Sequence, residues 1–159
     1  MKIAFDLDGV VRKGDLAFLK LCLELEKTIS KDVLTLANMT YTEPLLNPFL
    51  FALADDEIYI VTNCLSEKSR QFKERWVNHF LGNRVKLITI SVAANKWGKE
   101  YVDAVAKAKV EVMLKEGIEV YFDNDPAIIR VMRTLTDKIK FIKYGCWIEE
   151  FYDNVRGML

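Results

Sequence analysis

Cysteine, proline and histidine are all scarce in this 159-residue chain, with three, three and one of each, and glycine contributes only seven residues. Cys22, Cys64 and Cys146 are odd in number, far apart and in no CxxC pair, which excludes a disulfide framework and gives no zinc spacing; a reducing compartment is expected. Charge of one sign is also missing. Lysine plus arginine and aspartate plus glutamate both number 23, so no net field draws the chain to nucleic acid or an anionic membrane. No apolar run reaches the length of a membrane span, and Asp6 and Asp8 interrupt the first hydrophobic stretch, so it does not read as a signal peptide and the expected location is cytoplasmic. With 51% hydrophobic residues the chain is too apolar for intrinsic disorder and is the size of one domain.

The patterning alternates between strand and helix. Residues 2–5 are a short β-prone run that stops at Asp6-Leu7-Asp8-Gly9, and 58–61 is an apolar, largely β-branched run that enters Thr62-Asn63. Residues 85–90 give a third strand, 118–122 a fourth that ends in Asp123-Asn124-Asp125-Pro126, and 140–142 a fifth. Helical spacing is read over 15–27, 66–80, 101–115 and 126–135, with Gly117 where a left-handed stop belongs and Pro126 in a first turn. Shorter helical pieces are expected at 32–37 and 48–54, and a terminal helix at 147–155. Phe72, Trp76 and Phe80 are four apart and read as a core stripe, with His79 partly buried beside them. The run Lys68, Arg70, Lys73, Arg75 reads as a solvated helix face.

Parallel strands need helical crossovers, so this alternation predicts an α/β, three-layer Rossmann-like fold with a mainly parallel central sheet. Ligands of such sheets bind beyond the carboxyl ends of the strands. Three of those ends carry Asp6 and Asp8, Thr62 and Asn63, and Asp123, Asn124 and Asp125, which should share one crevice. Clustered carboxylates call for a cation, and hard oxygen donors suit Mg²⁺. Beside such an ion an aspartate can attack phosphorus, a second carboxyl can move the proton of the leaving oxygen and of water, and a lysine can offset the charge that builds in transfer. Thr62 and the backbone N–H groups around Gly9, Val10 and Asn63 are placed to hold phosphoryl oxygens. Asp125 fits an N-cap as well as a ligand. Cys64 has no basic partner in view and reads as packing.

Residues 5–11, Phe-Asp-Leu-Asp-Gly-Val-Val, resemble the first motif of the haloacid dehalogenase superfamily. Residues 60–63, Ile-Val-Thr-Asn, resemble its second, and 121–126, Tyr-Phe-Asp-Asn-Asp-Pro, its acidic fourth, in the family's order. The resemblance implies a phosphohydrolase that passes through an aspartyl-phosphate, with Asp6 as nucleophile and metal ligand, Asp8 as acid/base and metal ligand through its carbonyl, and Thr62 as phosphate ligand. Lys109, 14 residues before Asp123, has the spacing of the deoxynucleotidase-like branch for the third-motif lysine; Lys107 follows close behind as a substrate-binding candidate, and Lys99 fits a longer spacing. Asn124 stands where the family commonly has a second aspartate, so the metal set is Asp6, Asp8, Asp123 and Asn124.

Too few residues separate these motifs for a large cap. A single domain over 1–159 is expected, capless or with a small helical flap near 28–47. An open cleft admits a small phosphorylated substrate or, with nothing closing over the leaving group, a nucleic-acid end. Two rival readings use the same crevice: a phosphate-recognising binding protein without turnover, and a receiver-like phosphoacceptor domain.

Overall fold

A computed structural model describes residues 1–12, 44–92 and 98–144. The helices expected at 15–27, 32–37 and 147–155, and all of the expected flap but 44–47, lie outside them. Within them, Lys2–Phe5 forms β1, Glu57–Asn63 β2, Val85–Ile90 β3, Val120–Asp123 β4 and Lys140–Lys143 β5. The helices are α1 at Glu67–Phe80, α2 at Lys99–Glu116 and α3 at Pro126–Leu135. The strands form one sheet in the order β3-β2-β1-β4-β5, and every neighbouring pair is parallel. This is the three-layer α/β architecture expected from the alternation, and the described residues contain no cap domain.

Burial on both faces explains why these strands read as continuous apolar runs. Ala4, Tyr59, Val61, Tyr121 and Phe141 face α2 and α3, where Val105, Met113, Ile129 and Met132 complete one core cluster. Ile3, Phe5, Ile58, Ile60 and Phe122 point the other way and pack with Trp76 and Val77 of α1 and with Leu46. The period-two alternation along each strand therefore sorts side chains between two cores, leaving the sheet end to carry the polar groups.

Local signals set the element ends. Ser66 caps α1 by accepting from the Ser69 N–H at 3.2 Å. Asp125 caps α3, accepting from Ala127 N at 2.8 Å and Ile128 N at 3.1 Å. The helix expected over 48–54 is a single 3-10 turn, Pro48–Phe51, capped by Asn47; beyond it Asp56 accepts from Leu53 N at 2.8 Å in the turn that leads to β2.

The stripe expected at Phe72, Trp76 and Phe80 is displaced by a fraction of a turn. Ser69, Lys73, Trp76 and Val77 are the buried residues of α1, whereas Phe80 is 43% exposed. His79 is exposed as well and meets the Phe80 ring edge-on, a correction to its expected burial. The cause is Lys73, whose ammonium is anchored beneath the helix.

Gly117 ends α2 at φ 71°, with its N–H on Leu114 O and that of Ile118 on Met113 O at 2.9 Å. A Cβ there would meet nothing within 4 Å, so the demand for glycine is conformational rather than steric. Gly117→Ala is expected to cost about 1 kcal/mol in urea denaturation, and Gly117→Asn less, because asparagine tolerates the left-handed region.

Candidate active site

The strand order places β1 between β2 and β4, with the chain winding outward on either side, so the topological switch point falls at the carboxyl end of β1. Asp6 is the residue at that point. Its N–H donates to Phe122 O at 2.7 Å, continuing the β1–β4 ladder one residue past the strand and fixing where the carboxylate emerges.

Behind Asp6 lies a buried polar cluster. Lys109, on the face of α2 that covers the sheet, is 3% exposed, and its Nζ donates to Asp6 Oδ1 at 2.8 Å, Asp123 Oδ2 at 2.9 Å and Tyr121 Oη at 2.7 Å. Tyr121 Oη in turn donates to Asp123 Oδ2 at 2.9 Å, and Asp123 Oδ1 accepts from the Asp125 N–H at 2.9 Å. Tyr121 and Asp123 are two apart on β4 and share a face by strand alternation. Burial pushes the Asp6 carboxyl up to about 7; Lys109 pulls against this, and Asp123 and Asp8 reinforce it. Burial opposes the charge on Lys109, yet Asp123 and Asp6 outweigh it and hold the ammonium above its usual range.

In front of Asp6 the chain turns sharply. Gly9 has φ 85°, a left-handed value that glycine takes without strain, and its N–H donates to Arg12 O while the N–H groups of Val11 and Arg12 return to Leu7 O. The turn brings Arg12, 3% exposed, back onto Asp8: the guanidinium Nε donates to Asp8 Oδ1 at 2.9 Å and Nη2 binds the same oxygen. Lys73 from α1 holds the other oxygen, with Nζ 2.7 Å from Asp8 Oδ2, 2.8 Å from Thr62 Oγ1 and 2.7 Å from Asn63 O. Although burial works the other way, Arg12 and Lys73 keep the Asp8 carboxyl well below the usual carboxylate range. The Asp8 side chain is 40% exposed, so water reaches the pair and screens it.

The structure thus brings Asp6, Asp8, Thr62, Lys109 and Asp123 together through two lysines. Lys107 and Lys99 are exposed on α2 and join neither cluster; two residues turn a helix by roughly 200°, which puts Lys107 on the face away from Lys109. Val10 is fully buried, which leaves only its backbone for a ligand. The Asn63 side chain is already engaged within the protein: Nδ2 donates to Tyr101 Oη at 2.9 Å and Val92 O at 3.3 Å, and Oδ1 accepts from Val92 N at 2.9 Å. Asn124 is buried at 7% exposure beside Asp123, and Asp125 acts as the cap of α3. Burial pushes the Asp125 carboxyl up to about 6, and the Cys64 thiol, buried next to β2, is raised by the same cause. Arg12, Tyr121 and Lys73 were not singled out as site residues by sequence. Lys73 had been placed on a solvated face, yet it is 5% exposed and lies one turn from both Ser69 and Val77; a lysine inside a buried stripe was the available signal.

The donor set suits Mg²⁺. Asp6, Asp8, Asp123 and Asp125 face Arg12, Lys73 and Lys109, a surplus of one carboxylate; burial is the main cause that raises Asp6, and Asp123 and Asp8 add to it. Among the described residues no three acidic, cysteine or histidine side chains form an all-protein cage. Mg²⁺ does not require one, because it is usually held by one or two carboxylates together with phosphate oxygens and water. Asp6, the Asp8 carbonyl, Asp123 and Asn124 are the groups whose oxygens could hold it; Asp123 Oδ2 accepts from Lys109 and Tyr121, and its Oδ1 accepts from the Asp125 N–H alone.

Comparison of the sequence with protein-family models and with curated proteins gives no match. Solved structures do match in fold. One is a chain in the structure of the Pnkp1/Rnl/Hen1 RNA repair complex, at TM-score 0.52 and 15% identity over 92% of this chain and 43% of that one. Another is the HAD domain of the effector protein Lem4 from Legionella pneumophila, at TM-score 0.46 and 12% identity, covering 97% of this chain and 92% of that one. The chain therefore spans less than half the length of the first. That likeness agrees with the α/β fold built above.

Removing Lys109 should leave two buried carboxylates without their shared cation. Lys109→Met is expected to destabilise by about 3–5 kcal/mol in urea denaturation, and Lys109→Met with Asp123→Asn by clearly less, because the second change removes one of the stranded charges.

Proposed function

We propose that the chain is a Mg²⁺-dependent phosphomonoesterase of the haloacid dehalogenase type that works through an aspartyl-phosphate on Asp6. The observation that carries this reading is the pairing of two differently treated carboxylates at one strand end: Asp6 anchored from behind by Lys109 and Asp8 clamped by Arg12 and Lys73. The order of the three motifs supports it. A carboxylate fixed through one oxygen presents the other for attack on phosphorus, and the bond to the leaving oxygen breaks as the bond to Asp6 forms.

Bound Mg²⁺ would supply charge neutralisation for the phosphoryl oxygens, with Asp6, the Asp8 carbonyl, Asp123 and Asn124 to hold it. Thr62, 1% exposed at the end of β2, offers a hydroxyl to a phosphoryl oxygen, and Lys73 already touches that hydroxyl. Entry of a phosphoryl group beside Thr62 draws the Lys73 ammonium toward its oxygens and away from Asp8. Asp8, relieved of one cation, takes up a proton from solvent water, passes it to the leaving oxygen as that bond breaks, and recovers one from the water that attacks the phosphoenzyme. Lys109 stays in place and offsets the charge on Asp6 and Asp123.

For the substrate a small phosphorylated compound is the first choice and a nucleic-acid end the second; the RNA repair assembly that contains a chain of this fold gives the latter some support. No helix among the described residues is long and apolar enough to cross a membrane. A cytoplasmic setting and a single domain over the whole chain belong to the same proposal.

Hydrolysis of p-nitrophenyl phosphate is expected to require Mg²⁺, to stop with EDTA and to resume when the metal is restored. Asp6→Asn should abolish it, and retained turnover in that variant would sink the mechanism. Lys73→Met should lower kcat by about 10²-fold or more, as expected for loss of a group that binds the transferring phosphoryl oxygens.

A further inference from the structure

At the outer edge of the sheet an open hollow of about 390 Å³ is lined by Pro126, Ile129, Arg130, Arg133 and Lys143. Lys143 is the last residue of β5 and the register partner of Asp123, and Pro126 opens α3 three residues after Asp123. The hollow therefore adjoins the crevice on its β4–β5 side. Three of its five lining residues are cations and none is an acid, in a chain whose charges otherwise cancel.

Among the described residues no acidic side chain pairs with these cations. Arg133 donates to Phe141 O at 3.0 Å, which ties it to the edge strand, while among the described residues Arg130 and Lys143 have no acidic partner. Arg130 and Arg133 are three apart on α3, a like-charge pair that weakens a helix, and the other positions three or four away from Arg130 are Pro126, Ala127 and Thr134. An arrangement that costs helix stability and leaves cations concentrated beside a phosphoryl-transfer crevice fits an anionic group of the substrate.

We propose that this hollow is a subsite for a second phosphate group, carried by the same substrate whose first phosphate meets Asp6. The inference rests on the phosphatase reading and narrows its substrates to compounds with two phosphates. These are either a nucleoside bisphosphate or a nucleic-acid end whose next phosphodiester reaches α3. Arg130 and Lys143 contact the second phosphate from two sides, and Arg133 is held near it by Phe141.

Equilibrium binding by titration calorimetry with Mg²⁺, on the whole chain carrying Asp6→Asn so that no ligand is turned over, tests this. Thymidine 3′,5′-bisphosphate should bind about tenfold more tightly than thymidine 3′- or 5′-monophosphate, a difference that disappears in Arg130→Gln/Lys143→Gln while monophosphate binding is retained. A thymidine dinucleotide with one terminal phosphate, measured alongside, separates the sources: a gain for it alone points to a nucleic-acid end, and a gain for the bisphosphate alone to a free nucleotide. Equal affinity for one and two phosphates in the Asp6→Asn chain with Arg130 and Lys143 intact, a gain that survives the double substitution, or no binding by any of these compounds would overturn the subsite. Turnover of p-nitrophenyl phosphate by the native chain, a substrate with no second phosphate, reads the other claim separately. Tight bisphosphate binding without that turnover leaves the subsite and removes the phosphatase; turnover without preference for two phosphates does the reverse.

Discussion

A single buried ammonium joins the two central strands of the site. Lys109 reaches from α2 to Asp6 after β1 and to Asp123 at the end of β4, with Tyr121 as the third partner, all within 2.9 Å. Desolvating a cation and two carboxylates is costly, and it is tolerated because Lys109 uses all three of its donors and Asp123 accepts from Lys109, Tyr121 and the Asp125 N–H. One negative charge is left over by this arrangement. Burial, with Asp123 and Asp8 adding to it, lifts Asp6 to about 7, and the surplus charge gives a divalent cation something to neutralise.

The sheet order decides where that cluster can exist. Because β1 is flanked by β2 and β4, residues that are more than fifty positions apart in sequence meet at one end of the sheet. The helices on the two faces contribute one lysine each, Lys73 from the side of α1 and Lys109 from the side of α2. The two lysines treat the two aspartates differently. Burial raises Asp6, and Arg12 and Lys73 lower Asp8. Under the proposed mechanism the nucleophile has to be ionised and the proton carrier protonated, so a divalent cation beside Asp6 and displacement of Lys73 from Asp8 are what would set the two carboxyl groups for those roles.

Most of the strand pattern could be read from the chain, because buried parallel strands are short apolar runs and each here ends in a polar signal: Asp6, Thr62-Asn63 and Asp123-Asn124-Asp125. Gly117 and Pro126 marked helix ends by conformational demands that few other residues meet. Side chains that cross between elements were harder. Lys73 looks like any basic residue of an amphipathic helix until its partners Asp8, Thr62 and Asn63 are known, and its burial rotates the apolar stripe away from Phe80. Arg12 lies only four residues beyond Asp8, yet its return depends on the left-handed turn at Gly9. Asn63 sits in a motif position and still turns its amide to Val92 and Tyr101, a contact that depends on how β3 leaves the sheet.

The central claim is covalent chemistry at Asp6. Acid quenching of the Mg²⁺-loaded protein during turnover of p-nitrophenyl phosphate, followed by borohydride reduction and peptide mass spectrometry, reads it directly. The account predicts conversion of Asp6 to homoserine, dependent on substrate and absent in Asp6→Asn. Reduction at another carboxylate, or unmodified Asp6 at every quench time while hydrolysis proceeds, would contradict it.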